Sequence, residues 1–77
     1  MLLQDAQKGK TYVVESFHLP QVLERRLEAL GMTRQSPVSV INRKGKGILI
    51  VKIRGARFAL GENITASIAV QDAEARA

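Results

Sequence analysis

Residues 43–60 read RKGKGILIVKIRGARFAL. In ILIVKIR, residues 48–54, the odd-numbered residues are all apolar, whereas the even-numbered ones are two isoleucines and two bases. Glycine-containing dipeptides lie on both sides of this run. Successive side chains of a strand point to opposite faces of a sheet, and short glycine-rich connections join antiparallel strands. The stretch therefore predicts two β-hairpins that share one central strand, residues 48–54.

The two turns predict a register for each hairpin. With a four-residue turn at residues 44–47, the opposite pairs of the first hairpin are Arg43 and Ile48, Val40 and Val51, and Val38 and Ile53. For the second hairpin we place Gly55 and Ala56 at the centre of a type II′ turn, which prefers glycine first. Its opposite pairs are then Ile53 and Phe58, Val51 and Leu60, and Arg54 and Arg57.

These registers assign each side chain to one of two faces of the sheet. The predicted inner residues are apolar: Val38, Val40, Leu49, Val51, Ile53, Phe58 and Leu60, joined by Ile64, Ile68 and Val70. The predicted outer residues mix bases with isoleucines: Ile41, Arg43, Ile48, Ile50, Lys52, Arg54 and Arg57. Small barrels made of a few short strands bury one such face.

The rest of the chain adds one helix and two strands. TYVVESF at residues 11–17 is rich in β-branched and aromatic residues, which favour a strand. Pro20 suits a first helical turn, leucines 23, 27 and 30 share one helix face, and Gly31 is placed to end the helix. ITASIAV at residues 64–70 predicts the last strand, and we expect residues 71–77 to fray. The fold class is mainly β, a five-stranded barrel with one helix, in a single domain of residues 1–77.

Composition limits the class of protein. The chain has 77 residues and a formal net charge of +5, which indicates one small domain and an anionic partner. Seven bases and no acid lie between Glu28 and Glu62. There is no cysteine, so no disulfide or thiolate metal site is expected. The first ten residues resemble neither a signal peptide nor a membrane span, and we expect a cytoplasmic protein without membrane insertion.

No group of residues predicts catalysis, a metal or a cofactor. The acids are dispersed along the chain, and the one histidine, His18, lies just before the helix, where we expect it to face solvent. The glycines of KGKG join two strands, whereas a phosphate-binding loop leads into a helix. RNA binding is harder to dismiss because small basic barrels bind RNA, but base stacking needs aromatic residues and only Tyr12, Phe17 and Phe58 exist.

The mixed outer surface predicts recognition of another protein. Isoleucines there supply apolar contact area, and the bases supply steering and register. A second interpretation stays open, because basic residues also keep the exposed strands of a sheet from pairing with one another.

The order of these segments resembles a known family. A leader with Leu3, Ala6 and Gly9, then YVVESF, LERRLEALGM, the strand at residues 37–43 and the run RGARFAL resemble the ferrous iron transport protein A (FeoA) family over residues 3–70. The resemblance implies an SH3-like β-barrel with a helix inserted after the first strand. It also implies a non-enzymatic accessory protein of the membrane ferrous iron transporter (FeoB-like), which carries a cytoplasmic GTP-binding domain.

We therefore expect the protein to dock on the cytoplasmic region of that transporter, at the inner face of the plasma membrane, and to bind no iron itself. The expected docking residues are Arg43, Ile48, Ile50, Lys52, Arg54 and Arg57 of the sheet, and Val22, Arg25 and Arg26 of the helix. An alternative is the SH3-like domain of an iron-dependent repressor. Whether Ile48 and Ile50 instead meet a second copy of the chain stays open.

Overall fold

The computed structural model describes residues 1–76; the expectation for Ala77 lies outside the described residues. Five strands form one antiparallel sheet in the order β4-β3-β2-β1-β5. The elements are β1 (Thr11–Phe17), α1 (Gln21–Ala29), β2 (Pro37–Lys44), β3 (Ile48–Ile53), β4 (Ala56–Leu60), α2 (Glu62–Thr65) and β5 (Ile68–Asp72), with 3-10 turns at Leu3–Asp5 and Ala73–Arg76. The predicted mainly-β class is confirmed.

The alternation along β3 is confirmed. Leu49, Val51 and Ile53 are at most 1% exposed, whereas Ile48 is 42% exposed. The core that β3 crosses is apolar and contains Leu3, Ala6, Tyr12, Val14, Leu27, Met32, Val38, Val40, Leu49, Val51, Ile53, Leu60, Ile68 and Val70. Phe58 and Ile64, which we placed inside, are half-buried and pack against this core.

The first hairpin keeps part of its predicted register. Val40 lies opposite Val51 as predicted, but a β-bulge between Val40 and Asn42 then shifts the pairing. Arg43 therefore lies opposite Leu49 instead of Ile48, and the loop shortens to residues 45–47. A bulge inserts one extra residue into one strand and so changes which side chains share a face beyond it.

The second hairpin turns one residue earlier than predicted. Its central pair is Arg54 and Gly55, with φ angles of 50° and 83°, and Ile53 lies opposite Ala56. Two positive φ angles define a type I′ turn, whose twist matches that of the flanking strands. The register differs from the predicted one by two residues, so the inner and outer faces of β4 are unchanged.

Helix α1 ends as predicted at a glycine. Gly31 has a φ of 102°, its N–H donates to Glu28 (2.9 Å), and the N–H of Met32 donates to the carbonyl oxygen of Leu27 (2.9 Å). These two bonds form a Schellman motif and satisfy carbonyls at the helix end. Leu27 is buried, but Leu30 at the C-cap is 39% exposed and Met32 takes its place in the core.

The predicted last strand begins too early. Residues 62–65 form α2, and β5 starts at Ile68 and continues to Asp72, followed by the turn Ala73–Arg76 where we expected a frayed end. The β-branched residues favoured a strand, but the carbonyl of Gly61 accepts the N–H groups of Ile64 and Thr65 (both 3.0 Å). The buried Thr65 hydroxyl also donates to the carbonyl of Gly47, which fixes α2 against the loop before β3.

One edge of the sheet is covered by another part of the chain and, in the described residues, the other edge is not. The N-terminal segment, residues 1–10, begins beside β5, where Leu2 bridges Ala69 and the N–H of Val70 donates to Met1 (2.8 Å). It ends beside β2, where the N–H of Gly9 donates to the carbonyl of Val40 (2.8 Å). Strands β4 and β5 are connected through α2, and among residues 1–76 no backbone pairing joins them. Across that same range, none of the helices has the length and apolar character needed to cross a membrane.

Candidate docking surface

The side of the sheet that faces away from the core carries a row of side chains across four strands. Thr11 lies opposite Ser39, Ser39 opposite Lys52, and Lys52 opposite Arg57. The next row on this side joins Asn42, Ile50 and Ala59, and the last joins Lys44 to Ile48. We call the surface made of these nine residues the outer face.

Two cations lie directly opposite each other in the first row of the outer face. Lys52 and Arg57 are cross-strand partners, and both side chains are exposed. Within residues 1–76 the salt bridge present is Lys10 to Asp72, so neither cation has a carboxylate within 4.0 Å. Like charges directly opposite destabilise a pair of strands. The arrangement leaves a local excess of positive charge that an anionic group relieves.

Apolar groups lie beside these cations. Ile48 is 42% exposed, Ile50 is half-buried and Ala59 is exposed. A patch of apolar contacts edged by cations suits a protein surface better than a small anion. Four of the nine predicted docking residues, Ile48, Ile50, Lys52 and Arg57, lie on this face.

Arg43 does not belong to the outer face. Because the bulge at Ile41 places it opposite the buried Leu49, its side chain leaves the outer side of the sheet. Its guanidinium donates to the backbone carbonyls of Gln4 (2.8 Å) and Ala6 (2.6 Å). Arg43 thus holds the N-terminal segment, a structural role that a periodic pattern did not reveal.

Arg54 is also placed elsewhere. It occupies the first central position of the β3–β4 turn, so it has no partner in the ladder and does not face Arg57. Its side chain lies over the end of α1: a Cβ atom at Gly31 would be 2.8 Å from the Cδ atom of Arg54. A cation is favourable near helix C-terminal carbonyls.

The bulge brings two residues to the outer face that the sequence prediction missed. Asn42 pairs with Ile50 and Lys44 pairs with Ile48, so they take the place expected for Arg43. Ser39 and Thr11 lie in the first row beside Lys52, and their side-chain oxygens are 2.9 Å apart. The residues around Ile41 do not predict this bulge, because a bulge is defined by how one strand pairs with its neighbour.

The predicted helix residues form a second exposed patch. Val22 is 66% exposed, and Arg25 and Arg26 are exposed. Residues three and four apart lie next to each other on a helix, so the three side chains adjoin. They combine an apolar contact with two cations, as the outer face does.

A small pocket lies at the ends of β1 and β5. Its volume is about 180 Å³, and it is lined by Gly9, Lys10, Thr11, Asp72, Ala73 and Glu74. Pockets for organic ligands are larger, on the order of 300–1,000 Å³. The hydrogen bond from Lys10 and the backbone N–H of Glu74 hold the pKa of Asp72 below its ordinary value, and Asp72 raises the pKa of Lys10. This pair fastens β1 to β5.

Buried polar groups serve the fold. The hydroxyl of Ser36 accepts the N–H of Thr33 (2.9 Å) and donates to the carbonyl of Gly31 (3.2 Å), which fixes the loop after α1. For the described part of the chain, every buried side-chain nitrogen or oxygen has a partner. Over the same residues, no three His, Cys, Asp or Glu side chains converge as metal ligands. His18 is exposed, with its ring 3.3 Å from the Ser16 hydroxyl.

Comparison with protein families gives a match over nearly the whole chain. The family described as the FeoA domain matches residues 1–72. The chain belongs to the FeoA domain family. A comparison with curated proteins finds no match.

Solved structures similar to this FeoA domain share its fold. The FeoA protein from Chlorobium tepidum superposes with a TM-score of 0.87 at 23% identity, over 95% of this chain and 70% of that one. An iron uptake regulatory protein (FeoA) gives a TM-score of 0.78 at 22% identity, over 90% of each chain. The five antiparallel strands and two short helices match an SH3-like small β fold.

A repressor also contains this fold. A manganese-dependent transcriptional repressor superposes with a TM-score of 0.79 at 27% identity, over 94% of this chain and 41% of the repressor. This FeoA-family chain therefore spans less than half of that protein.

Proposed function

We propose that the protein is a non-enzymatic accessory protein of ferrous iron uptake that acts in the cytoplasm. In this proposal the outer face, together with the exposed side of α1, docks on the cytoplasmic region of the GTP-binding membrane iron transporter and modulates it. Membership of the FeoA domain family supports a role in iron transport. Docking on the transporter is the finer part of the proposal and rests on the outer face.

The observation that carries the docking proposal is the opposed pair Lys52 and Arg57. Two exposed cations face each other without a carboxylate within reach in residues 1–76. Ile50 and Ala59 lie in the next row of the outer face, and the exposed Ile48 lies in the row beyond it. The pair costs stability in the isolated chain. An acidic partner surface removes the repulsion on binding and buries the isoleucines.

Capture of the transporter's soluble GTP-binding domain tests the proposal. The charge-reversed variant Lys52→Glu/Arg57→Glu is expected to lose capture by tenfold or more, since attraction between the outer face and an acidic partner becomes repulsion. The far-ultraviolet circular dichroism spectrum is expected to stay unchanged. Undiminished capture by this variant would refute the site.

The matched control carries the same change in net charge away from the outer face. Lys8 and Arg34 are exposed and lie outside the rows of the outer face, so Lys8→Glu/Arg34→Glu is expected to retain capture. An equal loss in both variants would show that only net charge matters. A separate variant, Arg25→Glu/Arg26→Glu, reports whether the helix patch takes part.

RNA binding is the alternative from another class of function. Tyr12 is buried and Phe17 and Phe58 are half-buried, so the outer face offers no exposed ring for a base to stack on. We expect no retention of random single-stranded RNA. Retention that falls steeply between about 50 and 200 mM salt would favour RNA, because neutralised phosphates release counter-ions.

The repressor alternative is supported by the fold likeness to the manganese-dependent repressor. A repressor domain is expected to bind its own DNA-binding domain rather than a membrane transporter. Capture of the transporter's domain by the wild-type chain, lost in the outer-face variant, therefore distinguishes the two functions.

A further inference from the structure

The two edge strands of the sheet differ in how their backbone groups are satisfied. The edge of β5 is covered by the N-terminal segment through the bridge of Leu2 to Ala69 and the bond from Val70 to Met1. Strand β4, Ala56–Leu60, bonds to β3 on one side. On its other side, it makes no backbone hydrogen bond to any residue in 1–76.

The free backbone groups of β4 belong to two particular residues. In a two-residue hairpin the flanking residues, here Ile53 and Ala56, form a hydrogen-bonded pair, and bonded pairs alternate with non-bonded pairs along the ladder. Arg57 and Ala59 are therefore in non-bonded pairs, and their N–H and C=O groups point away from β3. Both residues are exposed.

The side chains of β4 define what a neighbouring strand would meet. Arg57 lies on the outer face opposite Lys52. The residue on its other side would therefore adjoin Arg57 directly and lie two strand spacings, about 10 Å, from the strand of Lys52. Phe58 points to the inner side and is half-buried against the core, so part of its side chain remains exposed to solvent. Opposite charges and aromatic–apolar contacts are the favourable cross-strand pairs.

We propose that β4 binds an extended acidic segment of the partner protein as a sixth strand of the sheet. The segment alternates acidic residues, which lie on the outer face beside Arg57, with apolar residues, which lie on the inner side beside Phe58. Its backbone bonds to the free groups of Arg57 and Ala59, and main-chain bonding of this kind is a recurrent mode of peptide recognition. The inference rests on the docking role proposed above and specifies its geometry.

Charge argues against a second copy as the occupant. Pairing β4 with β4 of another copy would join two outer faces edge to edge, each with Lys52 and Arg57 and no carboxylate within 4.0 Å of them among residues 1–76. Cations on an edge strand are a known device against self-pairing. The same cations attract an acidic strand, so the edge of β4 favours pairing with an acidic segment of another protein over pairing with a second copy.

Amide hydrogen exchange by NMR tests the proposal directly. The probe is a capped peptide of alternating glutamate and valine, and the control peptide replaces glutamate with lysine. We expect the glutamate peptide to slow exchange at Arg57 and Ala59, while the amides of residues 56, 58 and 60 are slow in the free protein as well. Binding that leaves the amides of Arg57 and Ala59 fast would overturn strand addition.

Two substitutions separate the backbone from the charge contribution. Ala59→Pro removes an N–H that points away from β3, and proline is tolerated at such positions of an edge strand. This variant is expected to abolish peptide binding. The control Ala59→Thr keeps the N–H and is expected to bind the peptide as wild type does. Arg57→Glu is expected to weaken binding of the glutamate peptide about tenfold and to favour the lysine peptide. Equal affinity of Arg57→Glu for the two peptides would contradict the assigned chemistry.

Failure of this inference differs from failure of the docking proposal. If Ala59→Pro captures the transporter domain as well as wild type, docking stands and strand addition is wrong. If the wild-type protein binds the glutamate peptide but not the transporter domain, strand addition stands and the proposal that the transporter is the partner is wrong. Protection of Arg57 and Ala59 that rises with protein concentration, without peptide, would identify a second copy and overturn the acidic segment.

Discussion

At the scale of single residues, buried polar groups connect segments that are distant in sequence. Thr65 is fully buried, and its hydroxyl donates to the carbonyl of Gly47, 18 residues away. Gly47 lies against α2 so closely that a Cβ atom there would be 2.8 Å from the Cγ atom of Glu62. These contacts fix the loop from which β3, the centre of the outer face, begins.

Replacing the Thr65 hydroxyl with a methyl group should destabilise the fold. Thr65→Val keeps the shape but leaves the Gly47 carbonyl unpaired, which costs about 1–3 kcal/mol for a buried group. Thr65→Ser keeps the hydroxyl and serves as the matched control. Urea denaturation measures both, and an unfolding free energy of Thr65→Val equal to that of wild type would show that this hydrogen bond is dispensable.

The ion pair of Lys10 and Asp72 should make stability depend on pH at both ends of the scale. Asp72 has its pKa lowered from 3.8, so its contribution is present above 3.8 and is lost as pH falls through the lowered value. Lys10 has its pKa raised from 10.5, so its contribution is present below 10.5 and is lost as pH rises through the raised value.

Thermal unfolding between about pH 5 and pH 2 checks the acidic limb. The wild type is expected to lose more stability over this range than Asp72→Asn, in which the titrating group is absent. In Lys10→Gln, an NMR titration should show the Asp72 carboxyl moving back toward its ordinary pKa. Parallel pH profiles of wild type and Asp72→Asn would rule the pair out as a source of stability.

At the scale of elements, β3 presents one face to the core and the other to solvent. The pairing of β3 with β2 and β4 determines which side chains lie beside its own on the outer face. The bulge in β2 brings Asn42 and Lys44 beside Ile50 and Ile48. The type I′ turn sets Arg57 of β4 opposite Lys52. Because the two cations of this last pair repel each other, a substitution that removes the repulsion should raise stability and weaken binding to an acidic partner.

Lys52→Glu should therefore stabilise the free protein while it weakens docking. The change converts a repulsive cross-strand pair with Arg57 into an attractive one, a gain of about 1 kcal/mol. Arg34→Glu makes the same change in net charge at an exposed loop position and should leave stability unchanged. Chemical denaturation at low salt measures both variants, and a Lys52→Glu variant less stable than wild type would refute the repulsion.

At the scale of the whole molecule, one core serves all the strands. The Cα radius of gyration is 11.0 Å, close to the roughly 11–12 Å expected for a domain of this length. Residues from the N-terminal segment, α1 and every strand contribute to a single cluster. We therefore expect unfolding in one transition.

Adjacent residues of β3 should differ widely in their effect on that transition. Leu49→Ala removes a fully buried side chain and should cost about 2–5 kcal/mol, while Ile48→Ala, at a position 42% exposed, should cost well under half of that. Tyr12 fluorescence and far-ultraviolet circular dichroism should give coincident urea curves. Two separate transitions, or equal costs at the two positions, would contradict a single core with this parity.

The local sequence predicted those features that depend on neighbouring residues. Alternation in ILIVKIR fixed which side of β3 is buried, and Gly31 marked the end of α1 because the required φ is costly for other residues. Strand β1 was predicted with its observed bounds because β-branched and aromatic residues fill five of its seven positions. These signals act within a few residues of each other.

The tertiary structure alone decided the composition of the outer face. The bulge at Ile41 moved Arg43 to the carbonyls of Gln4 and Ala6, and the position of the turn moved Arg54 to the end of α1. At residues 64–65, β-branched residues had predicted a strand, but the chain forms α2. The Thr65 hydroxyl of this helix donates to the distant carbonyl of Gly47. Pairing between strands and contacts between distant segments set these features, because their energies depend on partners that a local pattern does not contain.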